Sequence, residues 1–171
     1  MSVIFYGCIS LDGYLSGENH DLSWLYDSGD SEETDYENFY KNIDITIMGR
    51  NTFNEVNKIA LFDKVYPSTI NYVFTSRKDI KEEGVITVSE NVNEFVKGIE
   101  KDKNVWVVGG SKIVSSLIKE DLIDRMYIQI APVIIGGGIL LFEKLEVQKR
   151  FKLMEVKKYG QFAGLIYEKM K

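Results

Sequence analysis

The stretch IDITIMGRNTF, residues 43–53, decides the fold. Residues 43–48, IDITIM, are a run of strand length rich in β-branched residues, and Gly49-Arg50-Asn51-Thr52 follows with no spacer. A helical pattern then runs from Phe53 to about Ile59. Strands that alternate with helices along the chain, and are as apolar as those further on, imply a mainly parallel sheet covered on both faces. The same order recurs further on. NVWVV, residues 104–108, reads as a strand ending in Gly109-Gly110-Ser111, and Ile113, Val114, Leu117 and Ile118 then repeat at helical spacing.

Working outward, residues 2–9 (SVIFYGCI), 70–76 (INYVFTS) and 85–88 (VITV) read as further strands, with Pro67 breaking the chain before the second of these. Ser89 precedes a helix that places Val92, Phe95, Val96 and Ile99 on one face. Asp12-Gly13 and Ser16-Gly17 mark a loop after the first strand. Ser31 or Thr34 is placed to cap a helix through Asp35, Tyr36, Phe39 and Tyr40. Residues 123–135 read as a long strand, interrupted by Gly136-Gly137-Gly138, which fits a bulge. FKLMEVKKYG and FAGLIYEKM alternate apolar and polar residues and read as an antiparallel pair. The expected architecture is a three-layer α/β/α sandwich over residues 1–171, one domain. Its sheet is mixed, mostly parallel with antiparallel C-terminal strands.

Composition narrows the function classes. The chain has 171 residues, 44% hydrophobic and 27% charged, a globular balance. A net charge of -5 gives no support to nucleic-acid or anionic-membrane binding, which need clustered Lys and Arg. No run approaches the ~20 apolar residues of a membrane span. Cys8, the single cysteine, has no internal disulfide partner, which suits a reducing compartment. With no basic, apolar leader at the N-terminus, a cytoplasmic protein is expected. One cysteine and one histidine, His20, do not make a structural zinc site, and no metal is expected.

Three strand ends share one chemistry. Gly49-Arg50-Asn51-Thr52 stands at a strand-to-helix junction, where free backbone N–H groups and partial positive charge attract phosphate. Arg50 adds a forked cationic donor and Thr52 a hydroxyl. Thr75-Ser76-Arg77 offers two hydroxyls and a guanidinium. Gly109-Gly110-Ser111-Lys112 lets a phosphate approach the backbone closely. In a parallel sheet all three loops lie on the carboxyl edge, where open α/β sheets bind ligands. Pattern alone leaves a dinucleotide site and ordinary turn chemistry about equally open, and no G-x-G-x-x-G occurs.

IMGRNTF, VFTSR and VVGGSKI, in that order, resemble the dihydrofolate reductase superfamily, and most of all the branch that includes the reductase domain of bacterial riboflavin biosynthesis. The similarity runs from ISLDGYLSG through APVIIGGGILLF to the last strands. The resemblance implies an NADPH-dependent reductase of a small heterocyclic or sugar-derived substrate, similar to 5-amino-6-(5-phosphoribosylamino)uracil reductase, and a homodimer. It implies that Gly49, Arg50 and Thr52 meet phosphate, and that Thr75, Ser76 and Arg77 suit the 2′-phosphate. Gly109, Gly110, Ser111, Lys112 and Ile113 would lie under the pyrophosphate, and Cys8 and Ile9 would border the nicotinamide.

The substrate half is read from two carboxylates. Asp35, four residues before Phe39, reproduces the acid-to-aromatic spacing of true dihydrofolate reductases, where a carboxylate assists protonation. A helix-end acid is the competing reading. Asp12, in SLDGYLSG, is either a wall of the nicotinamide and substrate site or part of a turn. Tyr6, Tyr36, Phe39 and Tyr40 suit either a flat-ring pocket or the core. A dihydrofolate reductase and a non-catalytic NADPH-binding module are the alternatives.

Overall fold

The computed structural model describes residues 1–29, 34–60, 62–77 and 79–170. Its strands are β1 Ser2–Ile9, β2 Tyr14–Ser16, β3 Ile45–Gly49, β4 Ile70–Phe74, β5 Val85–Val88, β6 Asn104–Gly109, β7 Arg125–Ile130, β8 Ile139–Leu140, β9 Phe151–Tyr159 and β10 Phe162–Lys169. Its helices are α1 Ser23–Tyr26, α2 Tyr36–Tyr40, α3 Arg50–Ile59, α4 Phe62–Val65, α5 Val92–Lys97 and α6 Ser111–Lys119. Eight strands form one sheet in the order β5-β4-β3-β6-β1-β7-β10-β9. β5 through β7 in that order pair in parallel, and the β7–β10 and β10–β9 pairs are antiparallel. The expected mixed, mostly parallel sheet with an antiparallel C-terminal end is therefore the observed one.

The strand period of two sorts the side chains onto two faces. Val3, Phe5, Ile45, Ile47, Val105 and Val107 pack on one face with Val96 of α5 and with Val114, Leu117 and Ile118 of α6. Ile4, Met48, Val73 and Trp106 pack on the other face with Phe39 of α2 and with Phe53 and Val56 of α3. α3 and α6 each present an apolar stripe to the sheet and begin directly at a strand end, so both helix N-termini sit on the carboxyl edge.

Four local expectations need correction. First, α3 starts at Arg50, not Phe53. Arg50-Asn51-Thr52 carries no apolar periodicity, yet it forms the first turn, where unpaired N–H groups tolerate polar residues. Second, β7 ends at Ile130. Beyond it the Leu11 N–H bonds to the Val133 carbonyl and the Val133 N–H to that of Ala131, so 131–135 is a turning loop with Ile134 exposed. Third, the residue at the start of α2 is Asp35, not Thr34, and Asp35 makes no side-chain capping bond; Ser31 lies outside the described residues. Fourth, Gly136–Gly138 is not a bulge in β7 but the approach to β8. That strand pairs with β2 in a small second sheet.

Candidate functional site

The carboxyl ends of β1, β3, β4 and β6 border one cavity of about 1220 Å³. Its lining has two chemistries. One end is built from Gly49, Arg50, Asn51 and Thr52 at the start of α3, and from Gly110, Ser111, Lys112 and Ile113 at the start of α6. The other is aromatic and apolar, with Tyr6, Tyr36, Tyr66, Trp106 and Phe162 joined by Leu22, Leu25 and Tyr26 around α1.

Glycine sits before each helix in an extended conformation, Gly49 before α3 and Gly110 before α6, and neither helix has a side-chain cap. With glycine at each N-cap, no N-cap side chain occupies the first-turn amides. A Cβ built on Gly49 would lie 3.6 Å from Ile113 Cδ1 and 3.9 Å from the Gly110 nitrogen, so the two loops are neighbours. A Cβ on Gly110 would meet only Thr52 Oγ1, at 3.3 Å. Elsewhere around Gly110 the bare backbone faces open cavity. Gly109, one residue earlier, has φ +143°, a conformation that favours glycine. The Gly109–Gly110 peptide is cis.

Arg50 is already engaged. Its Nη1 and Nη2 donate to Asp79 Oδ1 and Oδ2 at 2.6 and 3.1 Å, and its Nε donates to Asn54 Oδ1 at 3.1 Å. The bond between them holds the Asp79 carboxyl below its usual range and raises Arg50. Arg77 adds its field to Asp79. Thr75 Oγ1 accepts from the Arg77 N–H at 3.1 Å, closing a tight turn after β4 that leaves Ser76 and Arg77 exposed. Thr75, Ser76 and Arg77 stand beside the cavity rather than in its wall. Asp79 had no signal in the sequence, since it lies 29 residues from Arg50 in a polar loop.

The aromatic end rests on Tyr6, two residues before Cys8 on the same face of β1. Tyr6 stacks on Phe39 with centroids 4.5 Å apart, and the Trp106 Nε1–H donates to the Tyr6 backbone carbonyl at 3.1 Å. The Tyr6 hydroxyl accepts from Gln129 Nε2 at 2.8 Å and also bonds to Thr34. Burial pushes the phenol up to about 12, so it stays protonated at neutral pH. Tyr36 and Tyr66 are raised by burial as well. The Cys8 thiol lines the cavity, but burial pushes it to about 12, which removes its thiolate chemistry. His20 Nε2 meets Asn51 Nδ2 at 3.1 Å, tying the loop after β2 to α3.

The remaining sequence candidates fall elsewhere. Asp12 accepts from the Ser10 hydroxyl at 2.6 Å and from the backbone N–H groups of Ile135 and Gly136 at 3.2 and 2.8 Å. These bonds, Ser10's first, lower its carboxyl and make it the peg of the glycine loop, outside the lining. Asp35 Oδ1 accepts from Asn38 at 2.6 Å and Oδ2 meets Lys157 at 3.5 Å, also outside the lining. Ile9 packs towards the α6 face. The structure thus brings Cys8, Gly49, Arg50, Thr52, Gly110, Ser111, Lys112 and Ile113 to one cavity, and leaves Ile9, Asp12, Asp35, Thr75, Ser76, Arg77 and Gly109 out of its wall. Tyr6 was legible as an aromatic but not as a polar group. Its partner Gln129 lies 123 residues away and was not singled out. Among the described residues no group of three His, Cys, Asp or Glu is placed to hold a metal, and no helix is long and apolar enough to cross a membrane.

Comparison with known proteins agrees with this architecture. The family model described as the RibD C-terminal domain matches residues 1–163. The uncharacterized protein YwjB of Bacillus subtilis (strain 168) is 32% identical over 167 residues, covering 96% of this chain and 95% of its own. A putative riboflavin biosynthesis protein from Shewanella sp. PV-4 superposes with a TM-score of 0.87 at 24% identity, over 100% of both chains. Dihydrofolate reductase from Enterococcus faecalis, solved with NADP(H), superposes with a TM-score of 0.64 at 20% identity, over 99% of this chain and 97% of its own. The last two share the fold.

Proposed function

The chain belongs to the RibD C-terminal domain family, and from that premise we propose that it is an NADPH-dependent reductase of a small cyclic carbonyl or imine compound. The observation that carries the reading is the meeting of two uncapped helix starts, Gly49–Thr52 and Gly110–Ile113, on one cavity that continues into an aromatic chamber. The fit of a dinucleotide rests on Gly110. A Cβ there would stand in open space apart from Thr52, so the bare backbone leaves room for a pyrophosphate. A cavity of about 1220 Å³ exceeds the ~300–1,000 Å³ of ordinary single-ligand pockets.

In this reading Gly110, Ser111 and Lys112 bind the pyrophosphate, with Thr52 beside them. Arg50 and Arg77 take the 2′-phosphate, as two cations are of little use to a bare ribose. When bound, the reduced nicotinamide supplies a hydride equivalent to the acceptor. The chain's own task is to align the partners, exclude water and supply a proton. Cys8 serves as a small neutral wall. Tyr6, like Tyr36 and Tyr66, keeps its hydroxyl proton at neutral pH, and its bond to Gln129 orients it in the chamber, which suits it to hold a proton towards an acceptor.

The dihydrofolate reductase reading loses the feature that suggested it, because Asp35 is bound to Asn38 and Lys157 outside the cavity wall. The test is consumption of NADPH, followed by nicotinamide absorbance, over a panel of cyclic carbonyls, imines and sugar lactones. Turnover of one class establishes the reductase. Tight cofactor binding with no consumption across the panel would instead support a non-catalytic binding module.

A further inference from the structure

We propose that a second, smaller cavity binds a neutral polyol or sugar, one hydroxyl of which accepts from the Trp24 indole N–H and donates to a carboxylate of Glu18 or Asp21. The proposal does not depend on what the larger cavity binds. The smaller cavity, of about 380 Å³, is lined by Gly17, Glu18, Asp21 and Trp24 and by residues 135–137 of the glycine loop. Its volume falls within the ~300–1,000 Å³ of small-molecule sites. The two cavities share no lining residue: Leu22 and Leu25 line the larger one, Asp21 and Trp24 the smaller. The observation that points to a ligand is the Trp24 indole. Trp24 is 8% exposed, and its Nε1 is buried without a hydrogen-bond partner among the described residues. A buried indole N–H is a donor and nothing else, and leaving it unpaired is costly. The ring otherwise sits in a cluster with Ala131 and Phe162, against which Val133 and Ile135 pack, and these side chains carry no acceptor. The cavity is the polar space that Trp24 borders, so the missing acceptor belongs there.

The rest of the wall says what kind of acceptor. Asp21 Oδ1 and Oδ2 accept from the Ser23 N–H and hydroxyl at 3.2 and 2.7 Å, which holds the carboxyl below its usual range, and each oxygen keeps a lone pair. Glu18 Oε1 lies 4.0 Å from where a Cβ on Gly137 would stand. A ligand therefore supplies one acceptor to the indole and donors to two carboxylates. Phosphates and carboxylates are repelled, and an ammonium or metal ion has no lone pair for Trp24. A hydroxyl does both tasks with one oxygen, and a neighbouring hydroxyl serves the second carboxylate. A flat amide has the same groups but finds no ring face to stack on, because Trp24 is almost wholly covered. Both walls are set by the protein itself. The Gly17 N–H donates to the Asp21 carbonyl at 2.8 Å and the Asp21 N–H to that of Glu18 at 3.1 Å, closing the turn that carries both acids. Opposite, Asp12 accepts from the Ile135 and Gly136 N–H groups at 3.2 and 2.8 Å. A Cβ on Gly136 would meet no heavy atom within 4 Å, so this wall leaves room for ligand atoms.

The test reads the two indole N–H signals of the isotope-labelled full chain by nuclear magnetic resonance, since Trp24 and Trp106 are its two tryptophans. The Trp106 Nε1–H already donates to the Tyr6 carbonyl, and Trp106 lines the larger cavity, so its signal is the internal control. Trp24→Phe identifies which signal is which. Sorbitol, acetamide and inorganic phosphate are titrated in turn. Sorbitol is expected to move the Trp24 signal downfield, saturating in the millimolar range, while the Trp106 signal stays in place. Glu18→Gln and Asp21→Asn, both at exposed side chains, should each weaken sorbitol about fivefold or more. A Trp24 signal that does not respond saturably would overturn the proposal, the indole then being served by water alone. So would equal movement of both signals, a tighter response to acetamide or phosphate than to sorbitol, or a sorbitol affinity unchanged in both carboxylate variants.

Discussion

Replacing Gly110 by alanine separates a ligand cradle from a mere turn. Gly110 has φ -91° and ψ -166°, ordinary extended backbone, so an alanine fits without conformational strain. The added Cβ would lie 3.3 Å from Thr52 Oγ1 with no other heavy atom within 4 Å, and a hydroxyl can yield by a few tenths of an ångström. Folding stability should therefore change by less than about 1 kcal/mol, a shift of roughly 2–4 °C in Tm for a chain of this size. Ligand binding should respond quite differently. The methyl group occupies the space over the first turn of α6 and holds a phosphate oxygen away from the backbone N–H groups. A hydrogen bond to a charged group is worth about 1.5–3 kcal/mol. Losing one weakens Kd roughly 10- to 100-fold. Because the pyrophosphate is common to both cofactors, NADPH and NADH should weaken alike. Calorimetry on wild type and variant, with melting curves as the control for folding, gives the answer. An unchanged Kd in a protein of unchanged Tm would refute the placement of the pyrophosphate over Gly110.

Three further outcomes follow from other parts of the structure. Arg77→Ala should weaken NADPH about 10- to 100-fold and NADH little, whereas Asp79→Asn should tighten NADPH several-fold by releasing Arg50 from its two bonds; parallel calorimetric titrations check both, and equal effects on the two cofactors would show that these side chains do not read the 2′-phosphate. Gly138→Ala should lower Tm by roughly 4–8 °C, a cost of about 2 kcal/mol, because the new Cβ would stand 2.2 Å from the Ser16 carbonyl oxygen at a residue of φ +131°; a melting curve unchanged by the substitution would contradict the close β2–β8 approach. The folded pKa of Tyr6 is raised to about 12, above the ~10 of an unfolded tyrosine, so its contribution to stability is fully present below pH ~10 and is lost as pH rises towards 12. Urea melts from pH 8 to 12 should therefore fall less steeply for Tyr6→Phe than for wild type, and identical slopes would argue against the buried phenol.

Most of the fold was legible because long, apolar strands and periodic helices are local signals. The runs around residues 2–9, 43–48 and 104–108, and the alternation of the last two strands, encode their own elements. The errors arose where pairing, not pattern, decides. An apolar run such as APVII has strand composition, yet residues 131–135 leave the sheet because their backbone bonds go to Leu11 and back to Ala131. A three-residue strand and a two-residue strand, β2 and β8, exist only by pairing across more than 120 residues. Arg50-Asn51-Thr52 looked like a loop because the first turn of a helix makes no periodic demand on its side chains.

The phosphate-suited loops were readable for the same reason, since strand-Gly-helix junctions are contiguous in sequence. The aromatic chamber was not, because its defining pair, Tyr6 and Gln129, is brought together by the parallel pairing of β1 with β7, in which Tyr6 faces Tyr127 and Cys8 faces Gln129. Asp12 and Asp35 show the opposite failure. Each has the residue type and spacing of a functional acid, and each spends its oxygens on local structure.

The central claim is that the two helix starts hold NADPH. Calorimetric titration of the purified protein with NADPH and with NADH tests it most directly. One NADPH should bind per chain, at least tenfold more tightly than NADH. Binding of neither cofactor would contradict it.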